Sequence, residues 1–247
     1  MVDVLLSARG VTKSFGGILA NDHVDLDVRA GEVVGLIGPN GAGKTTFFNM
    51  LSGVRPIGQR AFPDAGRVVF KGHDITRARA NKICRLGIGR AFQIVQIFDD
   101  MTVLSNVGVG AMSHSHSVEA ADEKALQVLE LVGLAHRAGA FGRDLTIAER
   151  KRLEMARALA TEPDLLMLDE VMAGLTPREV QDAVGIVRSI RDNGVTVLLV
   201  EHVLEAVMAV CDRVAVMHQG RKIADASPDE IVKDTAVIDA YLGLSDE

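Results

Sequence analysis

The stretch VVGLIGPNGAGKTT, residues 33–46, decides the fold of this chain. A short apolar run comes first, a glycine-rich segment follows, and the segment TTFFNML then has the character of a helix that closes at Ser52-Gly53. Residues 38–45 match the pattern GxxxxGK[ST], and the strand-loop-helix context is the one that this pattern requires. The stretch therefore predicts a phosphate-binding loop at the carboxyl end of a buried strand.

Each residue type in this loop has a chemical reason to be there. Glycines let backbone N–H groups converge on an anion, and the following helix adds the partial positive charge of its N-terminus. Lys44 supplies a point charge for the β- and γ-phosphates, the Thr45 hydroxyl can ligate Mg²⁺, and Thr46 can reach another phosphate oxygen. The predicted nucleotide-binding residues here are Gly38, Pro39, Asn40, Gly41, Ala42, Gly43, Lys44, Thr45 and Thr46.

A second apolar run, LLMLDE at residues 165–170, ends in two acids. Because ligands bind at the carboxyl ends of strands in a parallel sheet, both acids are candidates for the same chemistry. Asp169 would hold Mg²⁺, directly or through water, and Glu170 would polarise the attacking water as a general base.

A phosphate-binding loop occurs in GTPases, kinases and motor proteins, so the loop by itself does not identify the class of nucleotide-binding protein. A GTPase should also carry an NKxD motif that reads guanine. The nearest string, residues 81–84, has Cys84 where the carboxylate is needed, so guanine specificity has no support.

Alternating strands and helices predict an α/β fold. Turn-bounded apolar runs predict strands at 4–8, 24–28, 33–37, 67–70, 165–168, 195–200 and 213–217, and 3.6-residue periodicity predicts helices at 119–132, 146–160, 177–191 and 203–210. The segment 55–64, with two prolines and a glycine, is predicted to be a loop. Fully apolar strands between helices indicate a parallel sheet covered on both faces. We expect one domain over 1–247, with a helical subdomain at about 92–160.

The charge composition limits the kinds of partner that this chain can bind. The chain has 247 residues, 33 acidic and 27 basic, with a net charge of −6, which argues against a nucleic-acid partner. Cys84 and Cys211 lie far apart in no metal-binding spacing, so reduced thiols are expected.

The start MVDVLLSARG lacks the basic region of a signal peptide. The apolar runs are far shorter than the roughly 20 residues that a membrane span needs, so any action at a membrane is expected to use a docked partner.

The order of the motifs resembles that of the ATP-binding cassette ATPases. A glycine-rich loop, Gln93, a helix opening with LTIAERKRLEMARAL, LLMLDE and His202 follow one another along nearly the whole chain. The segments IGRAFQIVQIFDDMTVLSNV, LDEVMAGLTP and SPDEIVKDTAVIDAYLG resemble the ATPase subunits of branched-chain (hydrophobic) amino acid importers. The resemblance implies a P-loop NTPase (RecA-like) core with a mixed or parallel sheet, an N-terminal antiparallel β part and an inserted helical subdomain.

The resemblance also implies roles for single residues. Phe15 matches the aromatic residue that stacks on adenine, although a core phenylalanine is the alternative. Gln93 matches the glutamine that contacts Mg²⁺ or the attacking water, and His202 matches the histidine that contacts the γ-phosphate. The loop 173–176 matches the one that meets a partner subunit.

The signature segment, residues 145–149, departs from the usual LSGGQ. Thr146, Ala148 and Glu149 are the residues expected to contact a partner's ATP. Ala148 replaces a glycine, which would cost about 1–2 kcal/mol if the position needs a left-handed backbone. Thr146 and Glu149 also have the spacing of a capping box, so the segment can serve simply to start a helix, and the two interpretations are compatible.

The resemblance implies ATP and Mg²⁺ as cofactors and a head-to-tail dimer with a second cassette, identical or different. It implies separate permease subunits, a periplasmic binding protein acting indirectly, and a peripheral position on the cytoplasmic face of the inner membrane. The alternatives are an ATPase of lipopolysaccharide export or of other small-molecule uptake, and a non-transport cassette protein. The AYLG-type tail favours the amino-acid importer.

Overall fold

The computed structural model describes residues 3–54 and 62–242. Most of the predicted loop 55–64 lies outside the described residues. The chain divides into two compact units, one formed by Met1–Leu86 with Leu198–Glu247 and the other by Gly87–Val197.

The first unit begins with an antiparallel sheet. Its strands are β1 (Val4–Phe15), β2 (Ile18–Arg29), β4 (Ala65–Phe70) and β5 (His73–Asp74), in the order β2-β1-β4-β5. Strands β1 and β2 form a hairpin and run well beyond the predicted segments 4–8 and 24–28, because register shifts carry β1 past Gly10. Alternation in these two strands puts one face inside, where Leu6, Ala8 and Val11 are fully buried.

The phosphate-binding loop belongs to the second sheet of this unit. Strand β3 (Val33–Ile37) is parallel to β9 (Arg213–His218), which pairs in an antiparallel hairpin with β10 (Arg221–Ala226). Strand β8 (Thr196–Val200) lies on the other side of β3. All five residues of β3 are buried, as expected of a strand covered on both faces. The helices of this unit are α1 (Lys44–Ser52), α2 (Ala80–Leu86), α7 (Leu204–Val210), α8 (Pro228–Ile231) and α9 (Thr235–Leu242).

The second unit pairs two parallel strands with a set of helices. Strand β6 (Ile88–Ala91) lies beside β7 (Leu165–Asp169), with Ala91 opposite Leu168. The helices are α3 (Val103–Ala111), α4 (Val118–Leu131), α5 (Ile147–Leu159) and α6 (Pro177–Asp192), with short 3₁₀ turns at Ala135–Arg137 and Gly142–Asp144. The helices predicted at 119–132, 146–160 and 177–191 are present, displaced by no more than a residue at either end.

Among the described residues, no helix combines the length and the apolar character that crossing a bilayer would need.

Candidate nucleotide-binding and catalytic residues

The glycine-rich loop is held in shape by close backbone neighbours. Gly38 has φ 144°, and a Cβ there would lie 2.0 Å from the carbonyl oxygen of Met217. Gly43 has φ 94°, and a Cβ there would lie 2.1 Å from the carbonyl oxygen of Ala20. Both positions therefore require glycine for space as well as for backbone conformation.

Lys44 is the first residue of α1 and is only 5% exposed. Its ammonium donates to the carbonyl oxygens of Gly38 at 2.7 Å and Pro39 at 3.0 Å, so the side chain folds back over the loop. Gly43 supplies no capping side chain at the start of α1, where the first amides of a helix favour an anion. An ammonium and helix amides at one loop are the groups that a polyphosphate needs.

Three contacts that the sequence did not indicate support this loop. Asn21 Nδ2 donates to the carbonyl of Gly43 at 3.2 Å, and the N–H of Gly220 donates to the carbonyl of Ala42 at 3.1 Å. The phenol of Tyr241, in α9, accepts the N–H of Gly38; burial raises its pKa, and this hydrogen bond acts in the opposite direction. These residues lie far from the loop in sequence, so no local pattern signals them.

The other residues predicted in this unit lie in different settings. Phe15 ends β1 half-buried, with the Lys13 ammonium 5.3 Å from the ring centroid. Thr45 and His202 are exposed, and Thr46 is half-buried. The roles predicted for these residues stay predictions.

In the second unit, Asp169 ends β7 and is 3% exposed. Its Oδ2 accepts a hydrogen bond from Arg90 Nη2 at 2.5 Å, whereas its buried Oδ1 has no hydrogen-bond partner among the described residues. A buried carboxylate oxygen without a partner is costly, and it is a ligand type that Mg²⁺ prefers. The geometry of Asp169 therefore fits a cation. No cluster of three or more His, Cys, Asp or Glu side chains suited to a metal occurs in the described part of the chain, so other oxygen ligands would have to complete the shell.

Arg90, on β6, is a site residue that the sequence analysis missed. Burial lowers the pKa of its guanidinium against the opposing pull of Asp169. The guanidinium also lies 5.0 Å from the ring centroid of Phe92. The sequence feature that could have indicated it is a single arginine in a short segment otherwise suited to a buried strand. A buried arginine needs a buried acid as its partner.

Glu170 has an unusual backbone for its residue type. Its φ is 48°, in the left-handed region, which costs a residue other than glycine about 1–2 kcal/mol. Its carboxylate Oε2 accepts a hydrogen bond from Gln93 Nε2. The structure thus brings together two of the predicted catalytic side chains, 77 residues apart in sequence.

The segment that carries Gln93 is attached to α5 by a buried acid. Glu154, 4% exposed, accepts N–H groups of Phe92 at 3.5 Å and Gln96 at 3.2 Å, and pairs with Arg157 at 3.3 Å. Burial raises the pKa of the Glu154 carboxyl, and these partners oppose the shift.

The signature segment forms the capping box that its spacing predicts. Thr146 Oγ1 accepts the N–H of Glu149 at 3.3 Å, and Glu149 Oε2 accepts the N–H of Thr146 at 2.8 Å. Ala148 lies in the first turn of α5 and is not among the residues with positive φ. Ala148 has a right-handed helical backbone, so replacing the usual glycine with alanine costs no backbone strain at this position.

The chain is similar to known proteins. Residues 21–173 match the family described as ABC transporter, and residues 221–247 match the family described as branched-chain amino acid ATP-binding cassette transporter. This chain belongs to the ABC transporter family. This ABC cassette is thus an ATPase, with the α/β fold of P-loop ATPases.

Individual relatives match this cassette over almost its whole length. The high-affinity branched-chain amino acid transport ATP-binding protein LivG of Salmonella typhimurium is 36% identical, with 98% of this chain and 99% of LivG covered. The lipopolysaccharide export system ATP-binding protein LptB of Escherichia coli is 37% identical, with 96% and 97% covered. A solved ATP-binding cassette of an ABC transporter in its ADP conformation has a TM-score of 0.87 at 31% identity, with 98% of this chain and 99% of that chain covered.

Proposed function

We propose that this cassette is the ATP-hydrolysing subunit of an importer for branched-chain or other hydrophobic amino acids. The observation that carries the ATPase part is the buried Lys44 ammonium folded over the glycine-rich loop at the start of α1. The likeness to LivG and the family match of residues 221–247 support the substrate class.

Lipopolysaccharide export is the second candidate function. LptB is as similar to this chain as LivG is, at 37% against 36% identity. The match at residues 221–247, to a family described by branched-chain amino acid transport, favours the importer.

The glycine-rich loop, residues 38–46, binds the phosphates, with Lys44 at the β- and γ-phosphates, and Phe15 stacks on adenine. Thr45, Gln93 and Asp169 would hold Mg²⁺, and the ion would neutralise charge on the phosphates. The Oδ1 of Asp169, which has no hydrogen-bond partner among the described residues, supports this assignment.

Glu170 accepts a proton from the water that attacks the γ-phosphorus. The bond from the γ-phosphorus to the oxygen that bridges it to the β-phosphate breaks, so that ADP is the leaving group and the γ-phosphoryl group becomes inorganic phosphate. The hydrogen bond from Gln93 to Glu170 orients the carboxylate for that role. His202 contacts the γ-phosphate.

ATP binding drives association with a second cassette, identical or different, head to tail. Thr146, Ala148 and Glu149 of one cassette then meet the ATP held by the other, because the capped start of α5 is an anion site. Transport needs permease subunits in the membrane, a periplasmic binding protein acts through them, and the cassette sits at the cytoplasmic face. Nucleic acid plays no part.

Trapping of an ATP-bound dimer tests the mechanism. The Glu170→Gln variant, assembled with its permease subunits, should retain ATP and stay closed under Mg-ATP, because the γ-phosphate contact persists when hydrolysis stops. Crosslinking and quantitation of retained nucleotide would measure this. A Glu170→Gln complex that releases nucleotide as fast as wild type would contradict the mechanism.

Substrate class is tested separately in reconstituted vesicles that hold the permease and the binding protein. Leucine, isoleucine and valine should stimulate ATP turnover, and lysine is the matched control of similar size. Stimulation by lipopolysaccharide in place of the amino acids would favour the second candidate.

A further inference from the structure

Lys151 connects α5 to the turn that follows the proposed general base. From the second turn of α5, its ammonium donates to the carbonyl oxygen of Glu170 at 3.4 Å and to the carbonyl oxygen of Ala173. The N–H of Ala173 donates to the same Glu170 carbonyl at 3.3 Å and closes the turn. One cation therefore holds both ends of the turn 170–173.

This contact bears on the conformation of Glu170. A left-handed φ of 48° at a residue other than glycine persists only where its surroundings hold it. Hydrogen bonds from an ammonium to backbone carbonyls are charge-assisted and stronger than neutral ones. Lys151 is thus a group that can hold the backbone from which the Glu170 carboxylate reaches Gln93.

The same helix starts at the signature segment. Lys151 lies three residues after Ala148, which places the two residues one above the other on the helix. One turn further on, Glu154 holds the N–H groups of Phe92 and Gln96, which flank Gln93. Because a helix is stiff along its axis, a displacement of its first turn reaches both the Gln93 segment and the Glu170 turn.

We propose that Lys151 is a positioning residue that couples the signature segment to Glu170 of the same chain. The inference rests on the proposed function: the signature segment meets the ATP of the partner cassette, while Glu170 acts on the ATP of its own chain. Through Lys151, the nucleotide held by the partner sets the geometry of the general base here, so the two ATP sites of a dimer are linked.

The experiment compares Lys151→Met, which keeps the aliphatic stem, with Lys151→Arg, which keeps the charge and the donors. Arg152→Met is the matched control, since it removes the neighbouring cation, which pairs with Asp182 at 3.1 Å instead. ATPase activity of the assembled transporter and equilibrium binding of ATP are measured for each. We expect Lys151→Met to lower kcat about tenfold or more, the size of a lost positioning contact, with KM and ATP affinity within about twofold of wild type.

Further expected results separate positioning from a general structural role. Lys151→Arg should recover most of kcat, and Arg152→Met should match wild type. Adding Lys151→Met to Glu170→Gln should slow hydrolysis no further, because the lysine acts through Glu170. If Lys151→Met fails to fold, Lys151→Gln replaces it, and a kcat below that of Lys151→Arg at unchanged KM is then expected.

A wild-type kcat in Lys151→Met or, in its place, Lys151→Gln would overturn the inference, as would a parallel loss of ATP affinity and kcat that Lys151→Arg does not rescue. Failure of the proposed function looks different, because Glu170→Gln itself would then hydrolyse ATP at the wild-type rate. An inactive Glu170→Gln beside a fully active Lys151→Met rejects the role of Lys151 alone.

Discussion

At the scale of single residues, the Arg90–Asp169 pair is a buried ion pair that compensates only part of a carboxylate. Arg90 compensates one carboxylate oxygen of Asp169, and the other oxygen is buried without a partner among the described residues. Both side chains are nearly inaccessible, at 7% and 5% exposed. Asp169 is therefore a buried acid with only one of its two carboxylate oxygens paired, and removal of its partner would leave it without compensation.

Removing Arg90 should therefore be costly. Arg90→Met leaves the Asp169 carboxylate buried and uncompensated, which predicts a loss of about 3–5 kcal/mol in the free energy of unfolding. The matched control is Arg9→Met, since Arg9 pairs with Asp27 at the same 2.5 Å but is 54% exposed. Exposed pairs contribute about 0–1 kcal/mol. Urea denaturation measures both, and equal losses would contradict this account of Asp169.

The two cysteines should differ in reactivity. Burial, with Asp212 and Glu201 adding to it, raises the pKa of the Cys211 thiol to about 12, while Cys84 is half-buried. Thiolate is the reactive form, so Cys211 should stay unmodified at pH 8 in the folded protein. A thiol reagent should label one group before unfolding and two after it. Labelling of two groups in the folded wild-type protein, or of any group in folded Cys84→Ser, would contradict this.

Local patterns predicted roles for Lys44, Asp169 and Glu170, because each lies in a motif that its chemistry demands. They did not reveal Arg90 or Lys151, because each contacts a residue far along the chain. Such contacts depend on which strand and helix become neighbours.

At the scale of elements, the turn from β3 into α1 depends on space as well as on φ. Gly43→Ala would place a Cβ against the carbonyl of Ala20, whereas the Cβ of Gly41→Ala would meet no atom of the described residues within 4 Å, although φ there is 80°. Gly41→Ala should thus cost about 1–2 kcal/mol from backbone strain alone. Gly43→Ala should cost about 1–3 kcal/mol more, because the backbone must shift. Urea denaturation of both variants measures the difference, and equal costs would show that the close approach to Ala20 does not constrain the loop.

Element prediction succeeded where a pattern was strong and unbroken. The strand 33–37 and the helix 177–191 were predicted nearly to the residue, since an apolar run marks the strand and a 3.6-residue periodicity marks the helix. Strand β1 was cut short at residue 8, because a glycine in a strand usually marks its end, whereas here register shifts absorb Gly10. Strand β6 was not predicted, because Gly89 and Arg90 break its apolar pattern, and helix α9 was not predicted, because its segment was interpreted only through the family resemblance of the tail.

At the scale of the whole molecule, the predicted site residues are divided between the two units. The first unit contains Lys44 and its loop, and the second contains Asp169, Glu170 and α5, whose Lys151 contacts the turn that follows Glu170. The order of motifs along the chain predicted the family, which the comparisons confirmed. The transported substrate is harder to predict, because a cassette acts on ATP and the proposed permease and binding protein meet the substrate instead.

The most direct test of the central claim is Lys44→Ala, measured by equilibrium binding of ATP and by turnover in the assembled transporter. Losing the ammonium from the loop should weaken ATP binding about tenfold or more and remove turnover, because the β- and γ-phosphates lose their point charge. Lys124→Ala is the control. It removes from α4 a cation that pairs with Glu162, and it should leave ATP affinity and turnover unchanged. A folded Lys44→Ala variant with wild-type ATP affinity and wild-type turnover would contradict the account.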